Sequence, residues 1–288
     1  MKPEGFLHVR GLRIYYRSEG EPEKGTVLCL HGGPGLTYDY LTPLFDIAKH
    51  GYRVVIYDQI GGGKSEAPKN PARYTIESFA QDAEEVRKAL GLGKVNLLGF
   101  SWGGMLAQTY ALEHQSNLSS LILSGTTPSA PLLEKEISRL FSALPANTRQ
   151  TIAKYEEAGD FQNPNYAKAV EEFQKEHQLR IATVPDALKY SDEHASREVG
   201  RTLFGPNFVE VTGSMRYWDV TGRLNKLRIP CLIICGEHDF LTPRLHRLMH
   251  QKIKGSKLVV LKGASHLSMW EKRKEYIKTV VNFLDSHR

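Results

Sequence analysis

"KVNLLGFSWGGMLAQTYAL", residues 94–112, combines a short apolar run, a glycine-rich turn and a helical pattern. The turn "GFSWG", residues 99–103, has the form GxSxG, in which glycines let a strand turn sharply into a helix and leave the central serine exposed. The dipole of the following helix favours negative charge that develops at its amino end. The stretch therefore predicts a strand followed by a helix, with Ser101 as a nucleophile between them.

The fold around this turn follows from the other apolar runs of the chain. They are short and nearly continuous rather than alternating, as expected for parallel strands that are covered on both faces. Helical patterns separate most of them, as in residues 75–91, where Thr75 is predicted to cap the helix. This alternation predicts a mostly parallel, doubly wound α/β sheet, with residues 6–20 as an antiparallel hairpin at one edge. The runs are "TVLCLHG", "YRVVIYD", "KVNLLGF", "LSSLILSG", "IPCLIICG" and "SKLVVLKG".

The regular alternation stops between residues 128 and 220. That span contains helical patterns and no clear buried strand before "NFVEVTG", residues 207–213, and alternation resumes at Ile229. A helical insertion within one sheet domain explains this better than a second independent domain. We therefore predict a core formed by residues 1–127 and 221–288, with residues 128–220 inserted late in the sheet.

Composition limits the classes of function. The chain has 288 residues, of which 41% are hydrophobic, and a formal charge of +6. It has no apolar run long enough for a membrane span, and its first residues lack the apolar segment of a signal peptide, so a cytoplasmic protein is expected. The basic excess lies in residues 221–288 and indicates a solvated helix face rather than a nucleic-acid site. Cys29, Cys231 and Cys235 lie in predicted buried strands, and no metal or other cofactor is expected.

A serine nucleophile needs a base and an acid that orients the base. Asp239 follows the strand in "CLIICGEHD", and His266 follows the next strand in "LVVLKGASH". Because catalytic groups of open α/β sheets gather at the carboxyl ends of strands, both are expected beside Ser101. We predict that His266 is the general base and Asp239 its orienting acid. Glu237 is the alternative acid, and His238 is expected to be a loop residue.

Two glycine-rich stretches invite different interpretations. "HGGPG", residues 31–35, follows a predicted strand and fits a loop that supplies one N–H group to an oxyanion, and the amide of Trp102 is the expected second donor. His31 is expected to be a buried structural residue. "GGGKS", residues 61–65, lacks the earlier glycine of a phosphate-binding loop, because that position is Asp58. It is interpreted as a sharp turn.

The chain resembles the proline iminopeptidase family over residues 25–284. The resemblance implies an α/β-hydrolase fold with a helical cap, and an activity that releases N-terminal residues, often proline, from short peptides. It also implies the triad of Ser101, Asp239 and His266, with the amides of Gly33 and Trp102 as oxyanion donors. The matching pieces are "HGGPG", "YDQIGGGKS", "GFSWGG", "GPN…TG…WD", "GEHD" and "SH".

Two positions differ from the family pattern. Family members commonly have one glutamate after "GPN" and another after the catalytic aspartate, and these bind the substrate's α-amino group. This chain has Phe208 and Phe240 there, and a desolvated ammonium without a carboxylate is costly. Glu210 would share a strand face with Phe208 and could restore the charge.

Three hypotheses therefore stand. The first is an aminopeptidase or amidase that acts on a short peptide or small molecule through an acyl-enzyme, and the second is an esterase or lactonase for an uncharged apolar substrate. The third is a binding protein that does no chemistry, which an intact triad disfavours. Whole-chain resemblance favours the first hypothesis, and the two phenylalanines favour the second.

Overall fold

A computed structural model describes residues 2–206 and 210–288 of the chain. Eight strands form one sheet in the order β1-β2-β4-β3-β5-β6-β7-β8. Strands β3 to β8 are parallel, whereas β1 and β2 form the predicted antiparallel hairpin, and β2 runs antiparallel to β4. The strands are β1 Glu4–Val9, β2 Leu12–Glu19, β3 Thr26–Leu30, β4 Arg53–Tyr57, β5 Val95–Phe100, β6 Leu118–Ser124, β7 Cys231–Gly236 and β8 Lys257–Leu261.

Helices follow most of the parallel strands. The first, α1, begins at Ile76, and the side chain of Thr75 accepts a hydrogen bond from the Ser78 amide, which confirms the predicted cap. Among the described residues, no helix is long and apolar enough to cross a bilayer. The helices are α1 Ile76–Ala89, α2 Trp102–His114, α3 Ala130–Ser142, α4 Ala146–Glu157, α5 Pro164–His177, α6 Asp186–Glu193, α7 Arg197–Leu203, α8 Pro243–Lys252, α9 Ser268–Glu271 and α10 Arg273–Asp285, with 3₁₀ segments that include Tyr38–His50.

Alternate residues of the central strands pack into two hydrophobic clusters, one on each face of the sheet. In β3, Leu28 and Leu30 belong to one cluster, and Val27 and Cys29 belong to the other. Both faces are therefore dry, which explains why the strands appear in the sequence as continuous apolar runs. The three cysteines are buried, as predicted.

Helices α3 to α7 lie between β6 and β7 in the chain, so the helical insertion comes late in the sheet. The two ends of the insertion lie side by side, because Ser129 and Asp219 form an isolated antiparallel bridge. The boundaries 128 and 220 stay a prediction, although this bridge lies next to both.

The strand expected at residues 207–213 is not found in its described part. Residues 210–213 have no strand conformation, and the amides of Thr212 and Gly213 both donate to the carbonyl of Phe204. These bonds turn the chain back on the end of α7. The apolar alternation of "NFVEVTG" thus reflects contacts of a loop, with Val211 buried, rather than pairing in the sheet.

Candidate active site

Ser101 lies at the sharp turn from β5 into α2. Its backbone angles, φ 57° and ψ −123°, are unusual for a residue with a side chain, and such strain persists only where surrounding contacts impose it. A Cβ atom at Gly99 would lie 2.2 Å from the Gly103 carbonyl oxygen, and one at Gly103 would lie 2.0 Å from that of Leu30. The two glycines of GxSxG are therefore required for the strand and the helix to approach this closely.

The side chains of Asp239 and His266 meet at the carboxyl ends of β7 and β8. His266 Nδ1 lies 2.9 Å from Asp239 Oδ1, and the two side chains are 6% and 0% exposed, respectively. The Leu241 amide donates to the same carboxylate oxygen over 2.8 Å. An imidazole that donates from Nδ1 to a carboxylate carries its lone pair on Nε2, which is the form that a general base requires.

Two phenylalanine rings enclose the His266 imidazole. Their centroids lie 4.8 Å away for Phe100, the residue before Ser101, and 4.3 Å away for Phe240. The backbone amide of His266 donates to the carbonyl of His177 at the end of α5. The ring is therefore held by packing on its faces as well as by the Asp239 carboxylate.

The other polar residues of "GEHDF", residues 236–240, have partners outside this pair. Glu237 accepts a hydrogen bond from the Gly263 amide over 2.9 Å. His238 lies 3.6 Å from Glu176 and 3.7 Å from Glu237. The structure thus pairs His266 with Asp239 and not with Glu237, the alternative acid.

The loop "HGGPG" runs next to the serine. A Cβ atom at Gly32 would lie 2.8 Å from the Ser101 Cβ atom, and the Gly32 amide donates to the hydroxyl of Tyr40. Gly33 has φ 122°, a conformation that favours glycine. Together with Ser101 and Trp102, Gly33 lines one cavity, so the two predicted oxyanion donors belong to residues on the wall of the cavity that contains the predicted nucleophile.

"GGGKS" wraps around a buried carboxylate. Asp58 accepts hydrogen bonds from the amides of Tyr38 and Lys64, over 2.7 and 2.9 Å. Burial raises the pKa of Asp58 to about 6. No local pattern in the sequence indicates this role, because the Tyr38 amide that Asp58 accepts from lies 20 positions away in the chain. This stretch forms a turn, as predicted, and its Lys64 amide donates to Asp58 of the same chain.

The cavity at Ser101 has a volume of about 220 Å³ and is mainly apolar. Among the described residues that line it, the side-chain polar groups are those of Ser101, Trp102 and Thr127, and none is a carboxylate. Phe240 is one of the lining residues, and its contact with substrate stays a prediction. The others are Gly33, Pro34, Met105, Leu133, Ile137, Gly200, Phe204, Gly205 and Leu241.

The other two predicted substrate contacts are Phe208 and Glu210. Phe208 lies outside the described residues. Glu210 is exposed and lies in the helical insertion close to Glu156: burial raises the pKa of the Glu156 carboxyl, and the charge of Glu210 raises it further. The described lining does not include Glu210, so the expectation that it anchors a substrate amine gains no support.

Comparison with known proteins agrees with this architecture. A family model for the α/β hydrolase fold matches residues 25–273. The proline iminopeptidase of Thermoplasma volcanium is 42% identical over 287 residues, which are 99% of this chain and 97% of that protein. The crystal structure of VinJ has a TM-score of 0.95 and 28% identity, covering 100% of this chain and 99% of its own.

A second solved structure carries the family name itself. The proline iminopeptidase of Mycobacterium smegmatis has a TM-score of 0.90 and 30% identity, with 99% of this chain and 98% of that chain covered. Both the sequence and the fold are therefore matched along almost the whole length. This chain belongs to the proline iminopeptidase family of α/β hydrolases.

Proposed function

We propose that this protein is a serine aminopeptidase or amidase that releases N-terminal proline or another small residue from short peptides or amides. Ser101 attacks the carbonyl carbon, and His266 takes the hydroxyl proton and passes it to the leaving amine. Asp239 holds His266 in the required tautomer. The N–H groups of Gly33 and Trp102 stabilise the oxyanion, and water then hydrolyses the acyl-enzyme.

The observation that carries this proposal is the buried hydrogen bond of 2.9 Å between Asp239 and His266. The His266 ring packs against Phe100, the residue before Ser101 in the strained turn, and the loop "HGGPG" lies next to the same serine. A buried carboxylate that is bonded to an imidazole is the arrangement that keeps the base correctly oriented. The family's name supports peptide or amide substrates with a free amino terminus.

The apolar lining of the cavity favours a second candidate, an esterase or lactonase for an uncharged acyl group. A protonated amine in this cavity would have no carboxylate among the described lining residues, and desolvation of an unpaired charge is costly. Phe240 could contribute a cation–π contact worth about 0.5–2 kcal/mol. The two candidate functions use the same triad, and they differ in whether the substrate must carry a free amino group.

One set of substrates separates the candidates. Prolyl and alanyl 4-nitroanilides would be compared with their N-acetylated forms and with neutral 4-nitrophenyl esters. We expect the free-amine anilides to have the higher kcat/KM among the amides. Equal turnover of the acetylated anilides, together with efficient ester hydrolysis, would reject the aminopeptidase and favour the esterase.

Two serine variants test the mechanism common to both candidates. Ser101→Ala should abolish hydrolysis of every substrate that the wild type accepts. Ser142→Ala is the matched control, because Ser142 is exposed at the end of α3 and its hydroxyl donates to the carbonyl of Arg139. Full activity of Ser101→Ala would refute the mechanism. The cytoplasmic location stays a prediction from the sequence.

A further inference from the structure

Gln59 is a buried glutamine just past β4, and it makes three hydrogen bonds around the proposed oxyanion site. Its side chain Nε2 donates to the carbonyl of His31 over 2.8 Å. Its Oε1 accepts from the indole Nε1 of Trp102 over 2.9 Å. Its backbone amide donates to His31 Nε2 over 3.0 Å. Because Gln59 is only 2% exposed, water does not compete effectively for these bonds.

His31 extends this network to the loop that carries Gly33. Its Nδ1 lies 2.8 Å from the Gly32 carbonyl oxygen and therefore donates the ring proton to it. Nε2 is then the acceptor for the Gln59 amide. Burial lowers the pKa of His31 to about 4, so the ring is neutral at pH 7 and both bonds persist.

The network adds side-chain hydrogen bonds between two chain segments that follow the neighbouring strands β3 and β5. One is the loop after β3, which supplies the Gly33 amide, and the other is the start of α2, which supplies the Trp102 amide. The Trp102 ring is also packed edge-on against Phe79 and Phe204, with centroids 5.6 and 6.0 Å away. Gln59 bridges the two segments with one carboxamide.

We propose that Gln59 is a positioning residue that fixes the distance between the two oxyanion donors, Gly33 and Trp102. Gln59 itself is not among the described residues that line the cavity, so it acts through its neighbours and does not touch the substrate. Oxyanion donors must lie about 2.7–3.1 Å from the developing charge, and a misplacement of about 1 Å can cost about 100-fold in rate. The inference rests on the proposed acyl-enzyme chemistry.

The sheet also contains a matched carboxamide that is far from the site. Asn96 lies at the amino end of β5, is 8% exposed, donates to the Thr26 carbonyl over 3.3 Å and accepts from the Ser120 hydroxyl over 2.7 Å. It joins neighbouring strands by the same kind of bonds as Gln59. Replacing Asn96 therefore measures how much a buried bridging carboxamide contributes to stability when it has no role in catalysis.

The experiment compares Gln59→Met with Asn96→Leu, two near-isosteric changes that remove the carboxamide. Kinetics would use the substrate that the wild type turns over best, with inhibition by a boronic acid analogue of the acyl group, which forms a tetrahedral adduct on the serine. For Gln59→Met we expect kcat to fall about 10–100-fold, KM to stay within about twofold, and boronate affinity to weaken by about the factor lost in kcat. Asn96→Leu should lower Tm and leave kcat and boronate affinity unchanged.

A second variant keeps the test decisive if Gln59→Met does not fold. Trp102→Phe retains an aromatic ring and the backbone amide, and it removes the indole N–H that Gln59 accepts. Trp102→Phe should lower kcat and weaken binding of the boronic acid analogue. If both single variants fold, the double variant should lose no more than the worse single variant, because both changes remove the same bond.

The outcomes separate this inference from the proposed function. A wild type that hydrolyses no anilide or ester would refute the proposed function itself. An active wild type with Gln59→Met and Trp102→Phe both within threefold in kcat would overturn the positioning role only. Equal losses of kcat in Gln59→Met and Asn96→Leu would overturn it as well, since they would indicate general loss of structure.

Discussion

Phe240 contacts both the His266 ring and the cavity at Ser101. Its ring lies 4.3 Å from the His266 ring, centroid to centroid, and it also lines the cavity at Ser101. The sequence predicts that Phe240 contacts the substrate and affects specificity. Its packing on His266 adds a second effect, because an apolar ring excludes water from the acid–base pair. A change at this position would therefore alter substrate preference and the base together.

The orienting acid can be tested against its neighbour. Asp239→Asn should lower kcat by about 10³–10⁴ with little change in KM, because the amide favours the wrong imidazole tautomer. Glu237 is the first residue after β7 and accepts a hydrogen bond from the Gly263 amide. Glu237→Gln should retain kcat within about twofold, as expected for a surface change outside the site. Steady-state kinetics measure kcat and KM for both variants, after circular dichroism has verified that both are folded like the wild type. The reverse order of effects would make Glu237 the acid.

Glu210 provides a second test at this scale. Glu210→Gln should leave the ratio of kcat/KM for free-amine over N-acetylated anilides unchanged. The reason is its place near Glu156 in the helical insertion, away from the described lining of the cavity. A fall in that ratio of tenfold or more, with stability unaltered, would show that Glu210 does bind the amine.

At the scale of elements, α1 and α2 are joined by one buried carboxylate. Glu84 accepts two hydrogen bonds from Arg87, at 2.8 and 2.7 Å, and one of 2.6 Å from the Tyr110 hydroxyl on α2. The hydrogen bonds from Arg87 are the largest cause that lowers the pKa of Glu84, to about 2. The ionised form is thus stabilised in the folded protein.

This pairing predicts a pH-dependent stability. The folded-state pKa lies below the unfolded value of about 4.5, so the contribution is complete above pH 4.5 and is lost as pH falls through about 2. Glu84→Gln should lower the free energy of unfolding by about 1–3 kcal/mol at pH 7, and by less at pH 3. Urea unfolding at both pH values measures this.

The control is the next residue of the same helix. Glu85 pairs with Lys88 at the surface, where both side chains are about half exposed, and such pairs contribute little. Glu85→Gln should therefore change stability by less than about 0.5 kcal/mol at either pH. Equal destabilisation by Glu84→Gln at pH 7 and pH 3 would contradict the assigned cause.

The elements show which parts of the structure the sequence could predict. Continuous apolar runs and GxSxG predict β5, α2 and the parallel sheet, because these are local patterns that burial imposes. Asp239 and His266 could be predicted from the sequence for the same reason, since each follows a predicted strand. The bonds of Gln59 to His31 and Trp102 join residues 28 and 43 positions apart, so no local pattern contains them. "NFVEVTG" misled for the opposite reason, since a loop can bury an apolar residue without pairing.

At the scale of the whole molecule, the insertion and the sheet share one hydrophobic cluster. It contains Leu133 and Phe173 from the insertion together with Leu30 and Met105 from the core. Because burial of shared apolar surface couples the parts that share it, we expect one cooperative unfolding transition. Tryptophan fluorescence and far-UV circular dichroism should give coincident urea curves. An early loss of helical signal would instead indicate that the insertion unfolds by itself.

The placement of the insertion also has a consequence for synthesis of the chain. Strands β6 and β7 are neighbours in the sheet, yet the whole insertion is translated between them. At about 5–20 residues per second, Ser101 is made roughly 10–30 s before His266. On the proposed mechanism the serine has no general base during that interval, so a growing chain cannot cleave other nascent peptides around it. If His266 is the base, hydrolytic competence arrives only after the last parallel strand, β8, has been synthesised.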